Sequence, residues 1–338
     1  MNSSRFRTLT ARYPMLRIAV VGDFCLDRYL EIDPTRQEVS IETGLPVHNV
    51  ARVRSQPGGA GTILNNLVAL GIGQLYPVGF AGVDGEGFEL RRALAARPGV
   101  RLDCFLQTPH RRTFTYCKPL VMEPDKAPRE LNRLDSKNWT VTPAAVQRRI
   151  AALVQRLASR VDAIILLDQV DLADTGVVTR KLLTAVRAVS RARPDLLIIA
   201  DSRRGLKGYP PVCFKMNAAE LAALTPVAKS AAVAQIQTSA ANLARKNRRP
   251  VFVTLAERGI IGAASDGSVE HVPALPVRGE IDIVGAGDAV TANLASALAA
   301  GATLREALEL ANAAASIVIH QLGTTGTADV KAIRGLVT

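Results

Sequence analysis

The chain has 338 residues, of which 48% are hydrophobic and 21% charged, and its formal net charge is +12. A chain of this length and composition can bury a large core, which excludes a disordered or fibrous protein and favours one large α/β unit, alone or with an appendage. The longest apolar runs, such as residues 163–167, fall far short of the roughly 20 residues of a membrane span. We therefore predict a soluble protein with no membrane partner.

The excess of basic residues could attract nucleic acid or an anionic metabolite. The basic pairs are scattered, however, and aromatic residues make up only 4% of the chain, too few for base stacking. We predict that most of the basic side chains are solvated at the surface and that the protein has no nucleic-acid partner. The four cysteines form no C-x-x-C pair, which favours reduced thiols, a cytoplasmic location and no zinc site.

Residues 1–15 are predicted to be a loose basic leader. The first seventeen residues carry four arginines and no acid, and they lack the apolar block of a secretory signal. A short organelle transit peptide is the alternative. The predicted main domain, residues 16–338, contains no repeat or low-complexity linker that would divide it.

Apolar strands and amphipathic helices alternate along this domain. Strands are predicted at 16–22, 74–80, 161–167, 195–200 and 250–255, and helices at 60–70, 85–96, 143–159, 174–193 and 228–247. This alternation implies a parallel sheet covered on both faces. Segments 29–55 and 111–122 instead alternate apolar and polar residues, as half-exposed strands do, and are predicted to form a small β lid over the mouth of the sheet. Because a lid edge needs cover, we expect a homodimer through the lids.

Two carboxylates follow the first strand in the stretch VVGDFCLD. Ligands of open parallel sheets bind outside the carboxyl ends of the strands, so Asp23 and Asp27 should face the site and could accept hydrogen bonds from a polyol. Asp27 is the stronger candidate, because a turn cap explains Asp23 equally well.

Two glycine-rich turns precede helices. Gly58 and Gly59 remove side chains where a loop enters a helix, which lets backbone amides approach a ligand. The run 285–287, Gly-Ala-Gly, opens a long alanine-rich helix with Asp288 in its first turn. Such a start can hold a phosphoryl group on free amides and a positive dipole. An ordinary first-turn acid is the alternative role of Asp288.

The order and separation of these motifs resemble the ribokinase/PfkB family of carbohydrate kinases over residues 16–326. The residues that carry the resemblance are GDFCLD, PGGAGTILNNLVALG, the N-x-x-E motif at 217–220, the segment VTLAERG at 253–259 and DIVGAGD at 282–288. Within the family, GDFCLDRY, ELNRLD, HVPA and LANAAASIVIHQLGTTG are most similar to the bacterial heptose-7-phosphate kinases. No P-loop motif is present.

The resemblance implies an α/β, ribokinase-like three-layer sandwich with a central, mostly parallel sheet and a β lid. It also implies ATP as phosphoryl donor, Mg²⁺, and a sugar or sugar phosphate as acceptor. By matching positions, it implies a catalytic base at Asp288 with an anion hole at Gly285, Ala286 and Gly287, and sugar contacts at Asp27, Gly58 and Gly59. It also implies an Mg²⁺ residue at Glu220 and nucleotide contacts at Asn217, Thr254, Gly259 and Asn312. A helix cap with a solvated acid is the alternative for Asn217 and Glu220.

Because the sequence departs from the family pattern at three positions, the identity of the acceptor is not fixed by the resemblance. The family commonly has asparagine at Thr62, threonine at Val284 and glycine at Ala256, and a lost hydrogen bond near the substrate changes sugar discrimination. The alternatives are a kinase of a neutral sugar or nucleoside, and a ligand-binding relative without catalysis. A phosphorylated acceptor would need cations, for which the candidates are Arg111, Arg112, Lys118, Arg133 and Arg203. Heptose 7-phosphate is the first prediction.

Overall fold

The computed structural model describes residues 1–228 and 230–337. Its strands are β1 Arg17–Gly22, β2 Phe24–Val39, β3 Pro46–Gly59, β4 Gln74–Gly82, β5 Phe105–Thr108, β6 Phe114–Val121, β7 Arg129–Glu130, β8 Leu134–Ser136, β9 Ala163–Asp168, β10 Leu197–Ser202, β11 Cys213–Asn217, β12 Val251–Thr254, β13 Ile260–Ala263 and β14 Val269–Val272. The helices are α1 Ser3–Thr10, α2 Ala60–Ala69, α3 Gly85–Ala95, α4 Ala144–Leu157, α5 Arg180–Ala192, α6 Ala218–Leu224, α7 Val233–Asn247, α8 Ala286–Ala299, α9 Leu304–Val318 and α10 Val330–Val337.

A nine-stranded sheet in the order β14-β13-β12-β11-β10-β9-β1-β4-β5 forms the middle layer. Neighbours from β5 through to β12 pair in parallel, and β13 and β14 are added in antiparallel pairs at one edge. Strand β9, with the sequence AIILLD, is buried along its whole length, because helices cover both faces of the sheet. The predicted mostly parallel sheet is confirmed.

The helices divide into two outer layers, each over its own apolar core. One core packs residues of α2, α3, α8 and α9 against the sheet, together with α1 and α10. The other packs α4, α5 and α7 against the opposite face. This arrangement is the predicted three-layer sandwich.

The lid is a second sheet of five strands, in the order β3-β2-β6-β7 with β8 paired to β6. It is larger than predicted. Strand β2 begins at Phe24, so only Asp23 separates it from the end of β1, and β3 ends at Gly59. The hairpin of β2 and β3 therefore grows directly out of the carboxyl edge of the central sheet, with Phe24 paired to Gly59 at its base.

The prediction of a loose leader is wrong. Residues 3–10 form helix α1, and its apolar residues Phe6 and Leu9 are almost fully buried in the core beneath α9 and α10. Arg5 forms an ion pair with Glu306 at 2.8 Å. Of the four arginines that suggested a leader, only Arg5 and Arg7 lie on α1, and a pattern of only eight residues gave too weak a periodic signal.

Two predicted helices start later than expected. The helix predicted at 174–193 begins at Arg180, because Asp174 has a φ of 61° and its carboxylate accepts a hydrogen bond from the Arg180 amide at 2.7 Å. The helix predicted at 228–247 is observed from Val233 onward, and Lys229 lies outside the described residues, as does the last residue of the predicted 16–338 domain. No described helix is both long enough and apolar enough to span a bilayer.

Ala256 occupies a backbone conformation that favours glycine. It is exposed, has a φ of 52° and opens the short 3₁₀ turn that joins β12 to β13. A side chain in the left-handed region costs about 1–2 kcal/mol, because Cβ crowds the following carbonyl. The departure from the family's glycine at this position therefore carries local strain.

We expect Ala256→Gly to raise the free energy of unfolding by up to about 1 kcal/mol. The strain energy that is removed from the folded state is larger than the free-energy cost of the extra entropy that glycine gives the unfolded chain. Urea denaturation at neutral pH measures the difference. Ala152→Gly, at an exposed site in the middle of α4, is the matched control and should lose about 0.5–1 kcal/mol. A loss of the same size in Ala256→Gly would contradict this account.

Candidate active site

A pocket of about 240 Å³ lies outside the carboxyl ends of β1, β9 and β10, with the lid as one wall. It is lined by Asp23, Cys25, Asp27, Gly59, Thr62, Phe114, Tyr116, Lys118, Arg133, Gln169, Val170, Arg203, Val284, Gly285, Asp288 and Thr325. The pocket occupies the position that open α/β sheets use for ligands, because the first residue after each of these strands points out of the sheet. Most of the predicted substrate residues meet here.

Helix α8 starts at the floor of the pocket. Gly285 precedes it with a φ of 83°, a conformation that an L side chain rarely adopts. In the first turn of a helix the backbone amides have no intrahelical acceptor, so those of Gly287 and Asp288 are available to an anion. The Ala286 amide already donates to the Ile283 carbonyl at 3.2 Å, so the anion hole predicted at Gly285, Ala286 and Gly287 stays a prediction, with the amides of Gly287 and Asp288 as its available donors.

The Asp288 carboxylate is half-buried at this turn and faces the pocket. Burial raises its pKa to about 7, with a further contribution from the negative charge of Asp201, while Lys215 acts in the opposite direction. No donor in the described part of the chain forms a hydrogen bond to this carboxylate. An acid with a pKa near neutrality and free oxygens is suited to accept a proton.

Asp27 is the second carboxylate that remains open to a ligand. It is almost fully buried on β2, and burial raises its pKa against the opposing charges of Lys118 and Arg133. Gly58 makes room for it, since a Cβ at Gly58 would lie 2.4 Å from Asp27 Oδ2. Among the described residues, no protein donor bonds to Asp27. Gly58 thus acts by positioning Asp27, and it does not line the pocket itself.

Asp23 lines the pocket, but protein amides already occupy its oxygens. Oδ2 accepts from Gln169 N at 2.9 Å and Oδ1 from Val177 N at 2.7 Å. Burial, followed by the charge of Asp168, raises the pKa of Asp23 to about 7. Asp23 therefore anchors the loop after β9, a long-range role that differs from the local turn cap considered as the alternative. Gly59, with a φ of 57°, packs its Cα against the Asp23 carbonyl.

Three of the five candidate cations reach the pocket. Lys118 and Arg203 line it and form no ion pair with a carboxylate of the described chain, whereas Arg133 is paired with Asp135 at 2.8 Å. Arg111 and Arg112 do not line it. The Arg111 side chain is buried against Thr140, and Arg112 is exposed and bonded through its backbone to Asn138. The prediction is therefore wrong for this pair.

Asn217 and Glu220 cap a short helix, as the N-x-x-E spacing allows. The Asn217 amide donates to Glu220 Oε2 at 2.7 Å, and the Glu220 amide donates to Asn217 Oδ1 at 2.9 Å. Thr254 is the neighbour of Asn217 across the sheet, so these residues share the carboxyl edge with the pocket. Their capping bonds leave Glu220 with one carboxylate oxygen that has no partner within residues 1–228 and 230–337.

Gly259 and Asn312 shape the adjoining loops and do not line the pocket. A Cβ at Gly259 would lie 2.0 Å from the Val272 carbonyl oxygen, so only glycine fits between β13 and β14. Asn312 on α9 donates to the Pro273 carbonyl at 2.8 Å. The predicted nucleotide contacts at both residues stay predictions. The departures Thr62 and Val284 do line the pocket, where they would meet an acceptor.

A buried cluster beside the anion hole escaped sequence reasoning. Lys215 Nζ donates to Asp201 Oδ2 at 2.7 Å, and Thr291 Oγ1 bonds to the same oxygen at 3.2 Å. The signal was a lysine among the apolar residues CFKM, because the buried part of a strand does not tolerate a charge without a partner. The acid that neutralises it is on another strand, and sequence spacing could not identify that pair.

The donor set fits a polyphosphate better than a bare metal ion. The described residues contain no group of three His, Cys, Asp or Glu side chains that could hold a metal by themselves. Mg²⁺ prefers one or two carboxylates completed by water and phosphate oxygens. Glu220 therefore suits a metal that arrives with its phosphates, and the free amides of α8 suit the phosphate oxygens.

Comparison with known proteins agrees with this geometry. The bifunctional proteins HldE of Gluconacetobacter diazotrophicus and Azorhizobium caulinodans are each 32% identical to the chain, over 322 and 319 residues. The aligned region covers 94% of this chain and 63% of each relative, so the chain spans less than two thirds of their length.

The fold recurs in solved structures. Arabidopsis thaliana ribokinase complexed with ribose and ATP superposes with a TM-score of 0.62 at 19% identity, covering 96% of this chain and 99% of that one. Escherichia coli phosphofructokinase-2 in complex with substrates and products gives a TM-score of 0.69 at 18% identity, with 95% and 98% covered. These likenesses establish the ribokinase-like fold.

Residues 15–331 match the description "pfkB family carbohydrate kinase", a span that contains both glycine-rich turns, the lid and the acid at the start of α8. Because that match covers nearly the whole chain, the protein belongs to the pfkB family of carbohydrate kinases.

Proposed function

We propose that the protein transfers the γ-phosphate of ATP to a hydroxyl of a sugar phosphate, with heptose 7-phosphate as the first candidate acceptor. The observation that carries this proposal is the pocket with two free carboxylates, Asp27 and Asp288, next to the free amides of α8. Relatives named bifunctional protein HldE and the resemblance to heptose-7-phosphate kinases support the choice of acceptor.

The two carboxylates have different tasks in this reaction. Asp27 accepts hydrogen bonds from acceptor hydroxyls and so orients the sugar. Asp288 takes the proton of the attacking hydroxyl, and the amides of Gly287 and Asp288 bind the phosphoryl oxygens. When bound, Mg²⁺ would neutralise phosphate charge, and Glu220 is the residue that would hold it, directly or through water.

Asp288→Asn should lower turnover at least about a hundredfold while ATP binding stays close to that of the parent. Asparagine keeps the size of the side chain but cannot accept the proton, and lost general-base catalysis costs about 10²–10⁴ in rate. An ATP-consumption assay with the acceptor and calorimetric titration with ATP measure the two effects. Near-parental turnover would show that the proton goes elsewhere.

The pH profile provides an independent check on Asp288. A base works only when ionised, so a pKa of about 7 predicts that kcat/KM rises from pH 6 to pH 8 and levels off above. With an ordinary aspartate, this rise, the acid limb of the profile, would lie near pH 4. The limb should vanish from the residual activity of Asp288→Asn. A limb that persists in that variant would belong to another group, such as Asp23.

The cations of the pocket predict a phosphorylated acceptor. Lys118 and Arg203 have no carboxylate partner in the described chain, and a bound phosphate would supply one. We expect kcat/KM for heptose 7-phosphate to exceed that for the unphosphorylated heptose by about 10- to 100-fold per charge-assisted contact. Lys118→Met should reduce this preference, and Lys181→Met on the exposed face of α5 should not. Equal turnover of both sugars would contradict the proposal that the acceptor is phosphorylated.

We also propose a cytoplasmic homodimer formed through the lids. The lid exposes the apolar side chains of Val39, Ile41, Leu45, Val50 and Val53, and β3 is its free edge strand. Exposed edges and apolar patches favour association. One of the solved structures with this fold, Escherichia coli phosphofructokinase-2, is described in a tetrameric inhibited form. Free thiols at all four cysteines support the location.

Light scattering at micromolar concentration should give the mass of two chains. Val50→Asp combined with Val53→Asp should give one chain, because two charges on β3 would have to be desolvated in the pair. Val83→Asp, at an exposed position outside the lid, is the control and should leave the dimer intact. A monomeric parent would rule out this assembly.

A further inference from the structure

Lys215 is a buried cation for which the reaction above provides no role. It lies on β11 with only 7% of its surface exposed, and its side chain is on the face of the sheet that α8 covers. Burial works against its charge, but the Asp201 carboxylate more than compensates, and the pKa of Lys215 is raised. The ammonium therefore remains protonated at neutral pH.

Its partner holds the ammonium next to the anion hole. Asp201 on β10 accepts from Lys215 Nζ at 2.7 Å and from Thr291 Oγ1 at 3.2 Å, and Thr291 also bonds to the Gly287 carbonyl at 3.0 Å. The carboxylate thus ties the end of β11 to the first turn of α8. A Cβ added at Gly287 would lie 3.0 Å from Lys215 Nζ.

The ammonium retains unused donors at this position. It has three N–H groups, and Asp201 is its one hydrogen-bond acceptor among the described residues. Two more unused donors, the amides of Gly287 and Asp288, lie in the same turn of α8. These two kinds of donor lie beside one turn of α8 and have no further acceptor within the described chain, which suits a phosphoryl group.

We propose that Lys215 binds the phosphoryl group as it passes from ATP to the acceptor, and that Asp201 and Thr291 are positioning residues for its ammonium. The proposal rests on the kinase function proposed above. In the transfer, the acceptor oxygen bonds to the γ-phosphorus and the bond from that phosphorus to the β–γ bridging oxygen breaks. The electron pair stays on ADP, the acceptor proton goes to Asp288, and Lys215 keeps its proton while neutralising phosphoryl charge.

Nucleotide binding tests this role without any acceptor. We expect Lys215→Met to weaken ATP binding by about 10- to 100-fold in calorimetric titration, the loss of one charge-assisted hydrogen bond, while AMP binding changes less than about twofold. AMP lacks the phosphates that reach this turn, so it reports on the fold and the rest of the nucleotide site. Lys181→Met should bind both nucleotides as the parent does.

A double variant keeps the test valid if Lys215→Met fails to fold. Lys215→Met leaves Asp201 buried without a partner, whereas Lys215→Met with Asp201→Asn removes both charges together. The double variant should show the same selective loss of ATP. If it binds ATP as tightly as the parent, Lys215 only neutralises Asp201 and the proposal is overturned. Equal loss of ATP and AMP would likewise overturn it, since that pattern indicates structural damage.

The pH profile distinguishes a role in the site from a structural one. Lys215 lowers the pKa of Asp288, so its removal should move the acid limb of kcat/KM upward by about one pH unit or more. Lys215→Arg keeps the charge and should keep the limb in place. An unmoved limb in Lys215→Met would contradict the proposal. A parent that binds ATP but phosphorylates no sugar would refute the kinase function and leave the ATP and AMP comparison valid.

Discussion

The desolvation of carboxylates along one edge of the sheet is the constraint on which the site depends. Three carboxylates near the ends of buried strands are stabilised within the protein. Asp23 accepts hydrogen bonds from two backbone amides, Asp168 is paired with Arg204, and Asp201 is paired with Lys215. Asp27 and Asp288 have no such partner in the described chain. A buried carboxylate without a donor is costly, so these two are the positions at which a ligand hydroxyl or proton is stabilised most.

Close packing around these carboxylates explains why glycines surround them. A side chain at Gly58 would displace Asp27, and one at Gly176 would come within 2.3 Å of Asp23 Oδ1. Gly59 and Gly285 serve a second purpose, because both have a positive φ where the chain turns into a helix. The glycine-rich turns therefore also serve to place acids, in addition to leaving backbone amides free at the start of α8.

Local patterns predicted the sheet and much of the pocket, because both depend on short-range signals. Apolar runs predicted β1 and β9, and the Gly-Ala-Gly-Asp run predicted the helix start with Asp288. What escaped prediction depends on long-range contacts. The α1 helix is stabilised by α9 and α10, at the other end of the chain, and Lys215 is paired with an acid 14 residues earlier on the neighbouring strand.

The nearly continuous run of β1 into β2 has a consequence for the modularity of the enzyme. One residue, Asp23, separates a strand of the core from a strand of the lid, and Asp27 and Gly58 face each other on the lid side of that junction. Under the proposed function, Asp27 orients the acceptor from the lid, whereas Asp288 and Arg203 approach the same pocket from the core. Exchange of lids between related kinases would therefore exchange Asp27, Gly58 and Lys118 together, while Asp288 and Arg203 stay with the core.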